Sequence, residues 1–421
     1  MAHDLALPTL FSPLTLPNGA VVPNRIAKAA MEENMADADH APSPALIRLY
    51  RAWAEGGAGL LITGNVMVDR RAMTGPGGVV LESDAFGERF AAWAQAARSQ
   101  GAQAWVQLNH PGRQMPAGLG QETWAPSAVA LELGNFSKQF APPREMTEAD
   151  ILAVKERFIR SALLAQRFGF TGVQIHAAHG YLLSQFLSPL TNQRQDAWGG
   201  TLENRARLLV EIVQGVRSAV QPGFALAVKL NSADFQRGGF SADDARQVVA
   251  LLNPLGVDVV ELSGGSYEAP AMYGQARDGR TLAREAYFLE FAQDIAAVAQ
   301  MPLMVTGGIR RYPVATQVVG SGIALVGMAT ALAIEPRLPQ VWRSDPATAS
   351  TLAPALRPIT FKNKVLASVA YMAMVKHQLH RLSLGRATNP QVHPGLALLE
   401  QQWDTSVKNR RYRRWMQRKV R

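Results

Sequence analysis

The sequence contains no cysteine at all. That single absence removes a disulfide framework, a thiolate nucleophile, a cysteine-ligated zinc and a cysteine-held iron–sulfur cluster from consideration. It leaves the compartment open, because a chain without thiols suits either redox environment. Long hydrophobic runs are also missing. The longest apolar stretch near the end, VLASVAYMAMV at 365–375, falls short of the roughly 20 residues that cross a bilayer. The opening MAHDLALPTLFSPL has no basic segment leading into an apolar one, so no signal peptide is read there and a cytoplasmic location is expected. No cluster with metal-ligand spacing stands out, and no metal is expected. Excess charge is scarce outside one short segment. The net charge is +10, but from Asp404 onward eight basic residues face one acid, so seven of those ten charges sit in the last 18 residues. The near-neutral remainder argues against nucleic acid as a partner of the main body.

What is present is an ordinary globular balance, 48% hydrophobic and 18% charged, over 421 residues. Short β-branched runs alternate with longer amphipathic ones. The candidate strands are 25–31, 59–68, 103–108, 172–177, 224–230, 257–262, 302–307 and 323–327, with helical patterns between them that open on Ser, Thr or Asp. Eight such units favour an α/β fold of the closed (β/α)8 TIM barrel type over an open doubly wound sheet. Residues 109–146, rich in Gly and Pro, read as a long connection over the catalytic face. The stretch SDPATASTLAPALRP at 344–358 reads as a boundary. The expected organisation is therefore a barrel over 1–343 and a C-terminal extension over 344–421, Pro/Ala-rich at first, then helical and basic.

Catalysis in such a barrel sits where strands end. The fourth candidate strand runs into HAAHGYLLSQFL at 176–187, which brings His176, His179 and Tyr181 to one mouth. Neutral histidines can donate hydrogen bonds to a carbonyl oxygen while a phenol supplies a proton. The same residues can equally cap a strand and pack, and spacing alone leaves both readings open.

HAAHGYLLSQFLSPLTNQRQDAWGGTLENRARLL at 176–209 resembles the signature of the Old Yellow Enzyme family of FMN-dependent ene-reductases. LFSPLTLPNGAVVPNRI (10–26), VQLNHPGRQ (106–114), WAPSAVA (124–130) and VTGG (305–308) are similar to further segments of that family. The resemblance implies noncovalent FMN, with NADPH or NADH as the reductant and a small α,β-unsaturated molecule as substrate. It implies that Gln107 bonds the pyrimidine edge, that Lys229 sits beside the N1/O2 edge, and that Ala30, Met31, Glu32 and Gly64 approach the ring. Gly307, Gly308, Gly327 and Met328 are then placed at the phosphate. His176 and His179 would hold the substrate carbonyl, with Tyr181 as proton donor. Asn109, Trp124, Tyr267 and Tyr273 are the expected substrate contacts.

This chain departs from the family pattern at four places. Glu32 replaces a small or sulfur-bearing residue, Lys229 stands where Arg is usual, Met328 follows Gly327 where Arg is expected, and the extension from about 345 lies outside the plain barrel. Glu32 beside a flavin carbonyl is expected to lower the flavin potential or to be protonated, unless it turns to solvent or pairs with Lys28. Two alternatives to an ene-reductase are a flavin-binding scaffold without turnover and an FMN-dependent tRNA-modifying reductase. The second is disfavoured because such enzymes protonate through a cysteine. For the tail RRYRRWMQRKVR, contact with a second subunit is preferred over peripheral membrane contact, with Tyr412 and Trp415 interleaved among the arginines.

Overall fold

The computed structural model describes residues 9–270, 286 and 288–418. Its centre is a ring of eight parallel strands: β1 (Ile26–Lys28), β2 (Leu60–Met67), β3 (Gln103–Asn109), β4 (Gly172–Ala177), β5 (Ala225–Asn231), β6 (Val259–Ser263), β7 (Leu303–Thr306) and β8 (Leu325–Met328). Each pairs with the next, and β8 pairs back onto β1, so the sheet closes and leaves no edge. The strands are buried along nearly their whole length, as parallel strands covered on both faces must be. The expected (β/α)8 barrel is thus the observed fold.

The helices that cover the ring start where side chains can satisfy free amides. α1 (Pro44–Glu55) is capped by Ser43, α3 (Glu148–Arg167) by a reciprocal Thr147/Asp150 box and α5 (Ala242–Leu252) by Ser241/Asp244. α2 (Gly87–Ala97), α4 (Leu202–Ala219), α6 (Leu289–Ala296) and α7 (Tyr312–Gly320) complete the set around the barrel.

Inside the ring, a step of two residues along a strand changes the chemistry. The lower layer is apolar: Ala27, Leu60, Ile62, Trp105, Ala225, Ala227, Val259, Met304 and Leu325 pack with Leu16 and Val22 of the entrance hairpin. Gly172 is required there, since a Cβ would lie 2.7 Å from both Ala225 O and Trp105 Cδ1. Two residues further on, the same faces present Gln107, Gln174, Lys229 and Glu261. The floor of the barrel is therefore greasy and its upper half polar, which places the chemistry at the C-terminal ends of the strands.

After β8 come short helices at Leu338–Ser344 and Pro346–Thr351, then α8 (Lys364–Ser383) and α9 (Pro394–Met416). Both long helices lie on the barrel. Arg48 Nε donates to Ser383 O at 2.9 Å, Lys408 Nζ to Asn34 O at 2.6 Å and Tyr412 Oη to Arg70 O at 2.8 Å. Tyr412 and Trp415 are buried with Met67, Met73, Val80, Met115 and Leu119, and His40 lies against Trp415 with ring centroids 4.3 Å apart. The aromatics expected to serve an external surface are thus used within the chain, because a helix carrying them at i and i+3 buries both on one face. Among the described residues, no helix is long and apolar enough to cross a membrane.

Candidate active site

The chain leaves β4 through a strained turn. His179 has φ 61° and Gly180 φ 73°, and a Cβ on Gly180 would meet Gln114 Oε1 at 2.7 Å. A left-handed histidine is costly for an ordinary residue and is kept where the surroundings over-determine it. Here they do: His179 N donates to Asn231 Oδ1 at 3.0 Å, and Gln114 Nε2 donates to His179 O at 3.0 Å. The turn folds His176, His179 and Tyr181 together, with ring centroids 5.1 Å apart for the two imidazoles and 4.8 Å for His176 and Tyr181.

Burial pushes both imidazole pKa values well below the usual range, reinforced by the Lys229 charge and, for His176, by His179. Both rings are therefore neutral at pH 7. Ala178 N donates to His176 Nδ1 at 3.2 Å, which leaves the ring proton on Nε2. His179 Nε2 lies 2.8 Å from Ser263 Oγ, and when that hydroxyl donates, the His179 proton sits on Nδ1. The Tyr181 hydroxyl lies 3.2 Å from the Tyr267 hydroxyl and accepts from Asn65 Nδ2 at 3.4 Å.

Behind them runs a buried polar row. Gln107 Nε2 donates to Gln174 Oε1 at 2.7 Å, and Gln174 Nε2 donates to Glu261 Oε2 at 2.7 Å. Lys229 Nζ lies 2.8 Å from Glu261 Oε1, a charge contact without hydrogen-bond alignment. The row orients Gln107 and compensates the Lys229 charge in the barrel interior.

These residues open onto a cavity of about 510 Å³, within the size range of cofactor sites. It is lined by His176, His179, Tyr181, Ala30, Met31, Glu32, Gln107, Lys229, Gly307, Gly308 and Gly327, eleven of the expected site residues. The others lie elsewhere or outside the described residues. Gly64 is not on the cavity: its missing Cβ makes room for Met31 O at 2.0 Å and Glu33 Oε2 at 2.1 Å. Met328 points into the hydrophobic core. Asn109 is fully buried off the cavity. Trp124 packs beside a separate small hollow with Asp69, Arg71 and His110. Tyr267 touches the cavity through Tyr181, and Tyr273 lies outside the described residues. Lys28 is not the partner of Glu32. It is buried between β1 and α1, 3.2 Å from Glu33 Oε1 and 2.9 Å from Tyr50 Oη, with burial lowering its pKa to about 8.

Sequence reasoning missed Asn65, Ser263 and Thr306, although Ser263 and Thr306 end strands and Asn65 lies near the end of β2, so the strand-end rule points to all three. It also missed Arg310 and Arg311 just beyond the Gly-Gly turn, Thr330, and a wall contributed by the extension. Asn65 Oδ1 and Thr306 Oγ1 are buried on this cavity without a hydrogen-bond partner among the described residues. Leaving such atoms unmet costs about 1–3 kcal/mol each, which a polar ligand relieves. With a fixed amide, a buried cation, the φ 73° turn at Gly308 and two arginines on one wall, the residues fit a flavin mononucleotide.

Residues 9–346 match the NADH:flavin oxidoreductase / NADH oxidase family. The chain belongs to this family. The NADH-dependent flavin oxidoreductase iliE of Hypocrea jecorina (strain QM6a) is 38% identical over 350 residues, covering 78% of this chain and 87% of that one. The protein of the same description from Neonectria sp. (strain DH2) is 41% identical over 361 residues, or 80% of this chain, and this chain spans only 47% of its length. The Old Yellow Enzyme homologue of Zymomonas mobilis superposes with a TM-score of 0.68 at 26% identity, covering 80% of this chain and 92% of that one. 2-Naphthoyl-CoA reductase gives a TM-score of 0.76 at 24% identity over 94% of this chain and 58% of its own, a likeness of fold alone. The Old Yellow Enzyme type of barrel, with FMN as cofactor and a reduced nicotinamide as electron source, is thus the class of this flavin oxidoreductase.

Proposed function

We propose that the chain uses NADH or NADPH to reduce the carbon–carbon double bond of electron-poor alkenes, enones and similar small molecules. The observation that carries this reading is the pair of buried neutral imidazoles beside Tyr181 on the same cavity as Gln107 and Lys229. When bound, FMN supplies the hydride. The chain does the rest. His176 Nε2–H and a His179 proton on Nδ1 offer two donors to one carbonyl oxygen, and both bonds strengthen as that oxygen gains negative charge. Because the rings enter uncharged, they polarise the carbonyl without protonating it fully. Tyr181, only 6% exposed, is the proton donor to the α carbon, and the Tyr267 hydroxyl at 3.2 Å can return the proton to it. Lys229 places a positive charge on the cavity wall, where it favours an anionic reduced ring.

A phenol mimics the polarised oxygen, so titrating the oxidised holoenzyme with 4-hydroxybenzaldehyde tests the reading. His176→Ala and His179→Ala should each weaken binding about 10- to 100-fold, the worth of one charge-assisted hydrogen bond, and suppress the long-wavelength charge-transfer band. An unchanged band and affinity in both variants would remove the imidazoles from the site.

A further inference from the structure

The departure at residue 32 and the extension meet on one wall of the cavity. α8 presents Tyr371, Met372, Val375, Lys376 and Leu379 to it, and the spacing of i, i+1, i+4, i+5 and i+8 is that of one helical face. The face is pinned at both ends. Tyr371 Oη donates to Thr330 Oγ1 at 3.3 Å beyond β8, and Lys376 Nζ lies 4.0 Å from Glu32 Oε2 beyond β1. The helix is backed through Ala373 and Met374 by Val392 in the turn before α9 and by Ala397 of α9, so the wall is part of the packed structure. The other Glu32 oxygen accepts from Thr74 Oγ1. Lys28 is occupied by Glu33, and among the described residues Lys376 is the cation that faces Glu32.

We propose that Lys376 is a positioning residue of the cofactor site, the counter-charge by which this chain carries a carboxylate at position 32. The proposal rests on the reading that FMN occupies this cavity. A carboxylate on the cavity wall opposes a ring that gains negative charge on reduction, whereas a Glu32–Lys376 pair adds no net charge there. Each partner alone therefore has a definite sign. Lys376→Gln leaves the negative charge uncompensated and weakens the reduced cofactor relative to the oxidised one. Glu32→Gln leaves the positive charge and does the reverse. The double variant returns to the wild-type balance.

The test is the flavin midpoint potential of the four holoenzymes by dye equilibration, with FMN affinity from fluorescence titration. One uncompensated charge at cavity distance should change the reduced-to-oxidised affinity ratio about fivefold. At roughly 30 mV per tenfold for two electrons, that is a shift of about 20 mV. Expected are a fall for Lys376→Gln, a rise for Glu32→Gln, a double variant near wild type, and a wild-type potential for Lys376→Arg. Potentials that do not move, or single variants that shift in the same direction, overturn the proposal. If Lys376→Gln sheds FMN, its recovery in the double variant supports the proposal and its persistent loss refutes it. A wild-type protein that never binds FMN contradicts instead the reading on which the proposal stands.

Discussion

Replacing Glu261 by Gln removes one charge from the barrel interior and keeps the shape. The side chains of Lys229 and Glu261 are 3% and 0% exposed and their charged atoms are 2.8 Å apart, so Glu261 has no water as an alternative partner and Lys229 has only the cavity it lines. Breaking a buried pair from one side costs about 3–5 kcal/mol, because the remaining charge is stranded. Lys229 lines the cavity and can relax towards it, and Gln keeps an acceptor for Gln174, so the lower end, about 3 kcal/mol, is expected. Against a total stability of about 5–15 kcal/mol that is a large loss. Urea unfolding should show a lower midpoint with an unchanged slope. Replacing both partners by apolar residues, Lys229→Met with Glu261→Leu, should recover most of the loss while sacrificing the cavity's cation. A Glu261→Gln variant within about 0.5 kcal/mol of wild type, the size of an ordinary surface change, would refute the stranded-charge argument. So would a double variant as unstable as the single one.

Acid should destabilise the fold through its buried neutral histidines. Burial lowers the pKa of His110 to about 4, and those of His176 and His179 fall well below 6.5 as well. Below pH 6.5 the unfolded chain binds protons that the folded one refuses, so stability is complete above that pH and is lost as pH falls towards about 4, by about 3 kcal/mol for His110 alone. Urea midpoints flat from pH 7 to 4.5 would contradict this. Gly180→Ala should cost about 1–2 kcal/mol from its left-handed backbone, and more from the contact with Gln114, whose Oε1 accepts from Tyr267 N. The same variant should bind 4-hydroxybenzaldehyde less tightly, and unchanged affinity in the titration would show that the turn does not position the site.

The barrel was legible because parallel strands buried on both faces leave continuous apolar runs. The fourth strand was read at 172–177 and is found there, and the others lie within three residues of their expected ends. His176, His179 and Tyr181 were placed at one mouth by the strand that runs into them, Gln107 and Lys229 by the resemblance, and all five line the cavity. The positions of expected residues found off the cavity have local causes. Gly64 was expected to bring its backbone close to the ring, whereas the space left by its missing Cβ is taken by Met31 O and the Glu33 carboxylate. Met328 follows an inward-facing position, and strand alternation turns it into the core. The wall formed by α8 was not legible at all. Its helical pattern shows that one face is covered, but not that the covering surface belongs to strand ends some 45 to 340 residues earlier in the chain. The stretch at 344–358 read as a boundary from its composition, yet Pro354, Ala355 and Leu356 line the same cavity.

The most direct test of the chemistry assigned to this cavity is anaerobic stopped-flow of the Tyr181→Phe holoenzyme in its two half-reactions. Reduction of the flavin by NADH or NADPH needs no proton from Tyr181 and should keep its wild-type rate within a small factor. Reoxidation by 2-cyclohexenone should slow by about 10² to 10⁴, the contribution of a positioned general acid. Equal slowing of both halves, or reoxidation at the wild-type rate, would contradict the account.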